Sequence, residues 1–186
     1  MMTAQFSHRL MTVEEFLDWD DGRYELVDGT PRLMAPHSDA HGTIQGNLTA
    51  LIRNHLAARG GPCRPVIEGG VKPRIQAKFN YRKPDIAVTC SPHVPGDVMI
   101  PDPVLIIEIL STNETETREN ITRYISLPSI REVALFHSEI KLAERWRRGA
   151  DGWSDDPDLF TGSMRLETID LSLDFDEVYR WVNFRG

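Results

Sequence analysis

The chain has 186 residues, 40% of them hydrophobic and 26% charged, with a formal net charge of −7 at pH 7. That length fits one domain whose core needs no cross-links, and the acidic balance excludes a uniformly basic surface that adheres broadly to nucleic acid. No apolar run approaches the roughly 18 residues of a membrane span.

Thr12, ahead of Val13-Glu14-Glu15-Phe16-Leu17, reads as an N-cap, with Glu15 at the third helical position to close a capping box. The helix is predicted to end near Trp19. After a turn at Asp20-Asp21-Gly22, residues 24–27 and 31–34 form two strands joined by the hairpin signal Asp28-Gly29. Strand alternation sets Glu25 opposite Tyr24 and Leu26, so it is either a solvent-side residue or an inward-facing carboxylate. Pro36-His37-Ser38-Asp39 ends the hairpin and caps a longer helix. In that helix Ile44, Leu48, Leu51, Ile52 and Leu56 recur on one face up to the stop at Arg59-Gly60-Gly61-Pro62. His41 shares the face, one turn inside the helix, as a hydrogen-bonded lining residue, a metal ligand, or a contact of substrate or Glu25.

Residues 65–68, 70–75 and 85–89 are predicted as consecutive strands, and 92–101 as a loop. Cys63 and Cys90 show no metal-ligand spacing. With no secretory h-region in the sequence, they are expected to be free thiols in a cytoplasmic, reducing setting. A strand over 104–110 follows. Thr112-Asn113 then introduces a helix carrying Ile121, Tyr124 and Ile125, broken at Leu127-Pro128-Ser129. Residues 132–136 and 140–146 form a strand pair, and two short strands fall between Met164 and Leu173. A closing helix from Phe175 is expected to bury Val178, Trp181 and Val182.

The chemistry concentrates in residues 83–110. Leu105 to Leu110 is apolar except at Glu108, and such a run bounded by prolines and polar turn residues marks a strand buried on both faces. An unpartnered ionised carboxylate there costs several kcal/mol or more. Asp85 poses the same question at the head of Ile86-Ala87-Val88, 108 − 85 = 23 positions earlier. Two carboxylates on neighbouring strands can share one cation, and magnesium suits them because it takes oxygen ligands from one or two carboxylates. Lys72, Arg74, Lys78, Arg82 and Lys83 fall within twelve positions that contain no acid. Such a run is either a solvated face or a stripe that meets phosphate.

Pro84-Asp85 followed by Glu108 on a hydrophobic strand resembles the PD-(D/E)XK nuclease core. The wider pattern resembles the Uma family of bacterial proteins, grouped with restriction endonucleases. Its elements here are Thr12-Val-Glu-Glu-Phe16, Tyr24-Glu-Leu-Val-Asp-Gly29, Met34 to His41, Arg82-Lys-Pro-Asp85, Glu108-Ile-Leu-Ser111, and Tyr124 ahead of Pro128-Ser-Ile-Arg-Glu132. The resemblance implies an α/β restriction-endonuclease-like fold, with a central mixed sheet flanked by helices, assembled as a homodimer. It also implies a magnesium- or manganese-dependent endonuclease acting on DNA, with Asp85 and Glu108 as metal ligands, a main-chain oxygen of Ile109 beside them, and Glu25 in the site.

The motif's lysine, two residues past the glutamate, is Leu110 here. Related sequences carry it instead one turn before the helix tyrosine, where this chain has Asn120. Lys83, Lys72 and Arg123 are the candidates to replace it. His41, Lys72, Arg74, Arg82 and Lys83 are the expected substrate contacts. A core without its ammonium also fits a module that binds nucleic acid or a protein partner without cutting.

Overall fold

A computed structural model describes residues 9–20, 22–110 and 114–184. Ser111 and the expected helix start at Thr112-Asn113 lie outside the described residues, as does Asp21 of the first turn. Helix α1 spans Val13–Trp19 and opens with the expected capping box, the Thr12 hydroxyl accepting from the Glu15 N–H and the Glu15 carboxylate from the Thr12 N–H. Strands β1 (Tyr24–Val27) and β2 (Thr30–Leu33) form the hairpin. Its turn puts both Asp28 and Gly29 at positive φ, 47° and 81°, the type I′ geometry for which Asp-Gly is suited.

Helix α2 runs Asp39–Arg59 with Ser38 as N-cap, and strand β3 follows at Arg64–Ile67. Strands β4 (Ile86–Thr89) and β5 (Pro103–Leu110) precede helix α3, Glu114–Tyr124. Strands β6 (Glu132–His137) and β7 (Ala143–Gly149) come next, then the short β8 (Gly152–Trp153) and β9 (Asp158–Phe160). A second hairpin, β10 (Ser163–Leu166) with β11 (Leu171–Asp174), leads into α4, Phe175–Val178.

The main sheet has the order β3-β4-β5-β6-β7-β8, with β9 also on β7. Only β5 and β6 run parallel, while the pairs β3·β4, β4·β5 and β6·β7 are antiparallel. This is the mixed sheet flanked by helices that the sequence led us to expect. Strand β5 divides its side chains between two layers. Leu105, Ile107 and Ile109 pack with Ile44, Leu48 and Ile52 of α2 and with the C-terminal hairpin, whereas Ile106 and Leu110 pack with Ile121 and Tyr124 of α3. By the same alternation Glu108 lies on the α3 side.

Several expectations are corrected. Residues 70–75 form no strand: Gly70 and Val71 make isolated bridges to Met99 and Arg82, and turns follow. Pro73 has no N–H to offer a ladder. Gly70 is required where it stands, because a Cβ there would lie 2.0 Å from the Tyr81 hydroxyl. Helix α4 is a single turn, and Trp181, expected on its buried side, is 80% exposed.

Cys63 and Cys90 are not free thiols but form a disulfide. They flank Arg64 and Thr89, which are opposite each other on β3 and β4, so the antiparallel register brings the two side chains face to face. Thiol titration in denaturant is expected to find no reactive cysteine until reductant is added; two thiols without reductant would remove the cross-link. No helix of the described residues is long and apolar enough to cross a membrane.

Candidate active site

Asp85 comes one residue before β4, whose Ile86 is opposite Ile107 of β5, and this register sets Asp85 beside Glu108. Both are buried. All three oxygens of Asp85 are engaged. Its Oδ2 accepts from the Ile109 N–H at 2.6 Å, its Oδ1 lies 3.0 Å from His41 Nε2, and its main-chain oxygen accepts from the Gln45 amide at 3.0 Å. Glu108 Oε2 accepts from the Asp85 N–H at 3.2 Å, and its Oε1 accepts from the Tyr124 hydroxyl at 2.6 Å. Glu25 faces inward, which settles the alternative its alternation left open. Its Oε1 accepts from the Lys83 N–H at 2.6 Å, and its Oε2 lies 3.7 Å from the Arg82 guanidinium.

The sequence explains why these groups meet. Ser38 caps α2 by accepting from the His41 N–H at 3.2 Å, which places His41 and, one turn on, Gln45 over Asp85. Tyr124 ends α3 on the face that packs against β5. Glu25 is carried in by the first hairpin, whose Leu26 exchanges main-chain hydrogen bonds with Tyr81 at 2.9 and 3.0 Å.

The cavity gathers three acids, Glu25, Asp85 and Glu108, and its lining also includes Arg32 and Lys83. Burial first, then the Asp85 charge and more weakly Glu25, push the Glu108 carboxyl well above its ordinary 4.5, while the Tyr124 hydrogen bond pulls it down. Burial, followed by the Glu108 and Glu25 charges, pushes the Tyr124 phenol well above 10.0, so it remains a donor. Among the described residues no lysine or arginine pairs with Asp85 or Glu108.

Of the candidates to replace the lysine, Lys83 lines the carboxylate cavity, but its ammonium is engaged. Lys83 Nζ donates to Asp20 Oδ2 at 2.8 Å and to the Gly22 carbonyl at 2.9 Å. Arg123 donates to Asp28 at 2.7 Å. Arg82, expected on phosphate, is only 1% exposed and donates to Asn80 at 3.1 Å, so its guanidinium belongs to the interior. Lys72 and Arg74 line a separate cavity of about 430 Å³ with Asp97 and Asp102. The basic run is thus not one face: Lys72, Arg74 and Lys78 are exposed, Lys83 is half-buried and Arg82 is buried.

Leu110 packs in the apolar cluster with Ile121 and Tyr124, as strand parity requires. Asn120 is buried and lines a cavity of about 310 Å³ together with Glu25, His41, Lys83, Asp85, Glu108, Ile109 and Thr117. His41 meets Asp85 rather than Glu25. Sequence reasoning missed His37, whose ring centroid is 4.0 Å from that of His41; the signal was a His-x3-His spacing, which matches a common metal-ligand interval. It also missed the Tyr124–Glu108 contact, although the residue was in view.

These features define a class. The crystal structure of a protein described as a putative nuclease belonging to DUF820, from Anabaena variabilis, superposes with a TM-score of 0.76. The match covers 93% of this chain and 99% of that one at 17% identity, so the shared property is the restriction-endonuclease-like α/β fold. The chain belongs to the Uma2 family, whose family model, described as "Putative restriction endonuclease", matches residues 13–176. An uncharacterised Synechocystis protein, slr1290, is 28% identical over 181 residues, covering 94% of each chain.

Proposed function

We propose that this chain is a divalent-cation-dependent endonuclease acting on DNA, with magnesium or manganese held between Asp85 and Glu108. The observation that carries the reading is the convergence of buried carboxylates described above, which no lysine or arginine among the described residues neutralises at Asp85 or Glu108. Buried acids in that arrangement fit a small oxygen-seeking ion. When bound, such an ion polarises a phosphoryl oxygen and lowers the pKa of an attacking water.

The chain's own groups prepare the site. The Tyr124 hydroxyl fixes one Glu108 oxygen, and the Ile109 N–H with His41 fixes the rotamer of Asp85. Glu25 brings a third carboxylate to the same cavity, placed to accept a proton from water or to add a ligand. Lys83 contributes through its N–H to Glu25, its ammonium being engaged by Asp20. Lys72 and Arg74 remain the groups we assign to phosphates beyond the carboxylate cavity. A homodimer is the assembly the family resemblance implies.

A second reading is favoured by a specific observation: Leu110 and Asn120 bring no charge where the fold's lysine would stand. A module that binds nucleic acid without cutting it fits that loss. Asp85→Asn is expected to weaken magnesium and manganese binding at least about tenfold in calorimetry, since even outer-shell partners of a metal site are worth about 10–100-fold. Cleavage of duplex and branched DNA that depends on the ion, stops with chelator and is lost in this variant supports the enzyme. Unchanged metal affinity would sink both readings of the carboxylate pair.

A further inference from the structure

We propose a second cation position, on the α2 side of Asp85, built from His37, His41 and Asp85 and suited to a borderline first-row ion such as cobalt, nickel or zinc. It rests on the reading of Asp85 as a metal ligand and adds a donor set that the Asp85–Glu108 pair does not use. One potential ligand atom from each of the three residues lies within 4.8 Å of the others. His41 Nε2 and Asp85 Oδ1 are 3.0 Å apart. That matches the separation of about 3 Å between neighbouring ligands of an octahedral ion with bonds near 2.1 Å.

The site is built rather than incidental. His41 is 4% exposed, and its Nδ1 is a buried polar atom with no hydrogen-bond partner among the described residues. With Nε2 as the ligand atom, as its spacing to Asp85 Oδ1 indicates, the ion would replace the His41–Asp85 hydrogen bond, and Nδ1 would carry the ring proton. The Ser38 cap fixes the turn on which His41 stands. His37, just ahead of the cap, is exposed, and its Nδ1 lies 3.8 Å from Glu68. The cluster is therefore closed on the Asp85 side and open to solvent on the His37 side, which gives an ion a way in.

Donor chemistry sets the selectivity. Two imidazoles and one carboxylate favour the later first-row ions, whereas magnesium keeps to oxygen. The two oxygens of Asp85 already point to different partners, Oδ2 to the Ile109 N–H and Oδ1 to His41. One carboxylate can thus serve two ions, as in two-metal sites with ions roughly 3.5–4 Å apart. A cation at this position places positive charge beside a cluster to which neither Leu110 nor Asn120 brings any.

The test is a cobalt(II) titration of the full chain followed by its visible absorption, with magnesium binding measured separately. His37→Gln is the informative variant because His37 is exposed, and an unchanged melting midpoint without metal confirms its fold. The expected result is cobalt binding in the natural protein that weakens at least about tenfold in His37→Gln, while magnesium affinity stays the same. Glu108→Gln should do the reverse, weakening magnesium and sparing cobalt.

Cobalt binding indifferent to His37→Gln but lost in Glu108→Gln would overturn the second position and leave the Asp85–Glu108 reading standing. Displacement of cobalt by magnesium, one for one, would also overturn it, since that describes one shared site. Cobalt that follows His37 in a protein that binds no magnesium supports the second position and sinks the first. No binding of either ion rejects both.

Discussion

Glu108→Gln is expected to make the metal-free protein more stable at neutral pH and to abolish its stabilisation by magnesium. Glu108 sits on a strand buried on both faces, and burial, Asp85 and Glu25 together hold its carboxyl well above the ordinary 4.5. A carboxyl whose pKa is raised on folding binds its proton more tightly in the native state. The stability it confers is present below 4.5 and declines as pH climbs from there toward the raised native value. Glutamine keeps the shape, can accept from the Asp85 N–H through its oxygen while its NH2 donates to the Tyr124 hydroxyl oxygen, and cannot ionise, so that decline is removed. A gain of about 1 kcal/mol would lift the midpoint by roughly 2–4 °C for a chain of this size.

The natural protein should gain stability from magnesium increasingly as pH rises, because an ion competes with the proton for the same oxygens. The variant should gain little at any pH. Melting curves from pH 5 to 8, with and without magnesium, read both effects. A variant less stable than the natural protein across that range would mean that Glu108 is a structural hydrogen-bonding residue.

The parts of this molecule that could be read from the sequence are those fixed by local chemistry. The Thr12 and Ser38 caps, the Asp28-Gly29 turn and the apolar run of β5 each depend on residues within a few positions. So does the face shared by Glu108 and Leu110, because alternation along a strand is a local rule. What could not be read depends on contacts across the chain. Residues 70–75 have strand-like composition, yet Tyr81 fills the space beside Gly70 and only isolated bridges form. Arg82 and Lys83 look like neighbours in one basic stripe, but the first is drawn inside by Asn80 and Glu25 and the second is held by Asp20.

The cysteine pair shows the same limit. Nothing in the spacing of Cys63 and Cys90 signals a cross-link, and only the register of β3 on β4 brings them together. His37 lies at a helix boundary, one residue before the Ser38 cap. Its second property, a ring stacked on His41 near Asp85, exists only once the cap has turned the chain.

Asn120→Lys is expected to raise metal-dependent DNA cleavage about a hundred- to a thousandfold, the range typically lost when one preorganised electrostatic donor is removed from an active site. The natural protein should accordingly cut weakly or undetectably while still binding metal. Tyr124 already reaches Glu108 from α3 at 2.6 Å, and Asn120 stands four residues earlier on the same helix face. Four residues displace it by about 6 Å along the axis, and it lines the cavity that holds Asp85 and Glu108. A lysine side chain there is long enough to bring its ammonium to the carboxylates, and the surrounding acids would keep it charged. Leu110→Lys is the poorer route, because that side chain is packed among Ile121 and Tyr124 and a buried ammonium would disrupt the α3 layer. Cleavage of single-stranded, duplex and branched DNA with magnesium or manganese, by both proteins at equal metal saturation, gives the result. Robust cutting by the natural protein would show that another cation already fills the role, Lys83 released from Asp20 being the nearest in sequence. No cutting by either protein, with metal and DNA both bound, would assign the fold here to recognition without hydrolysis.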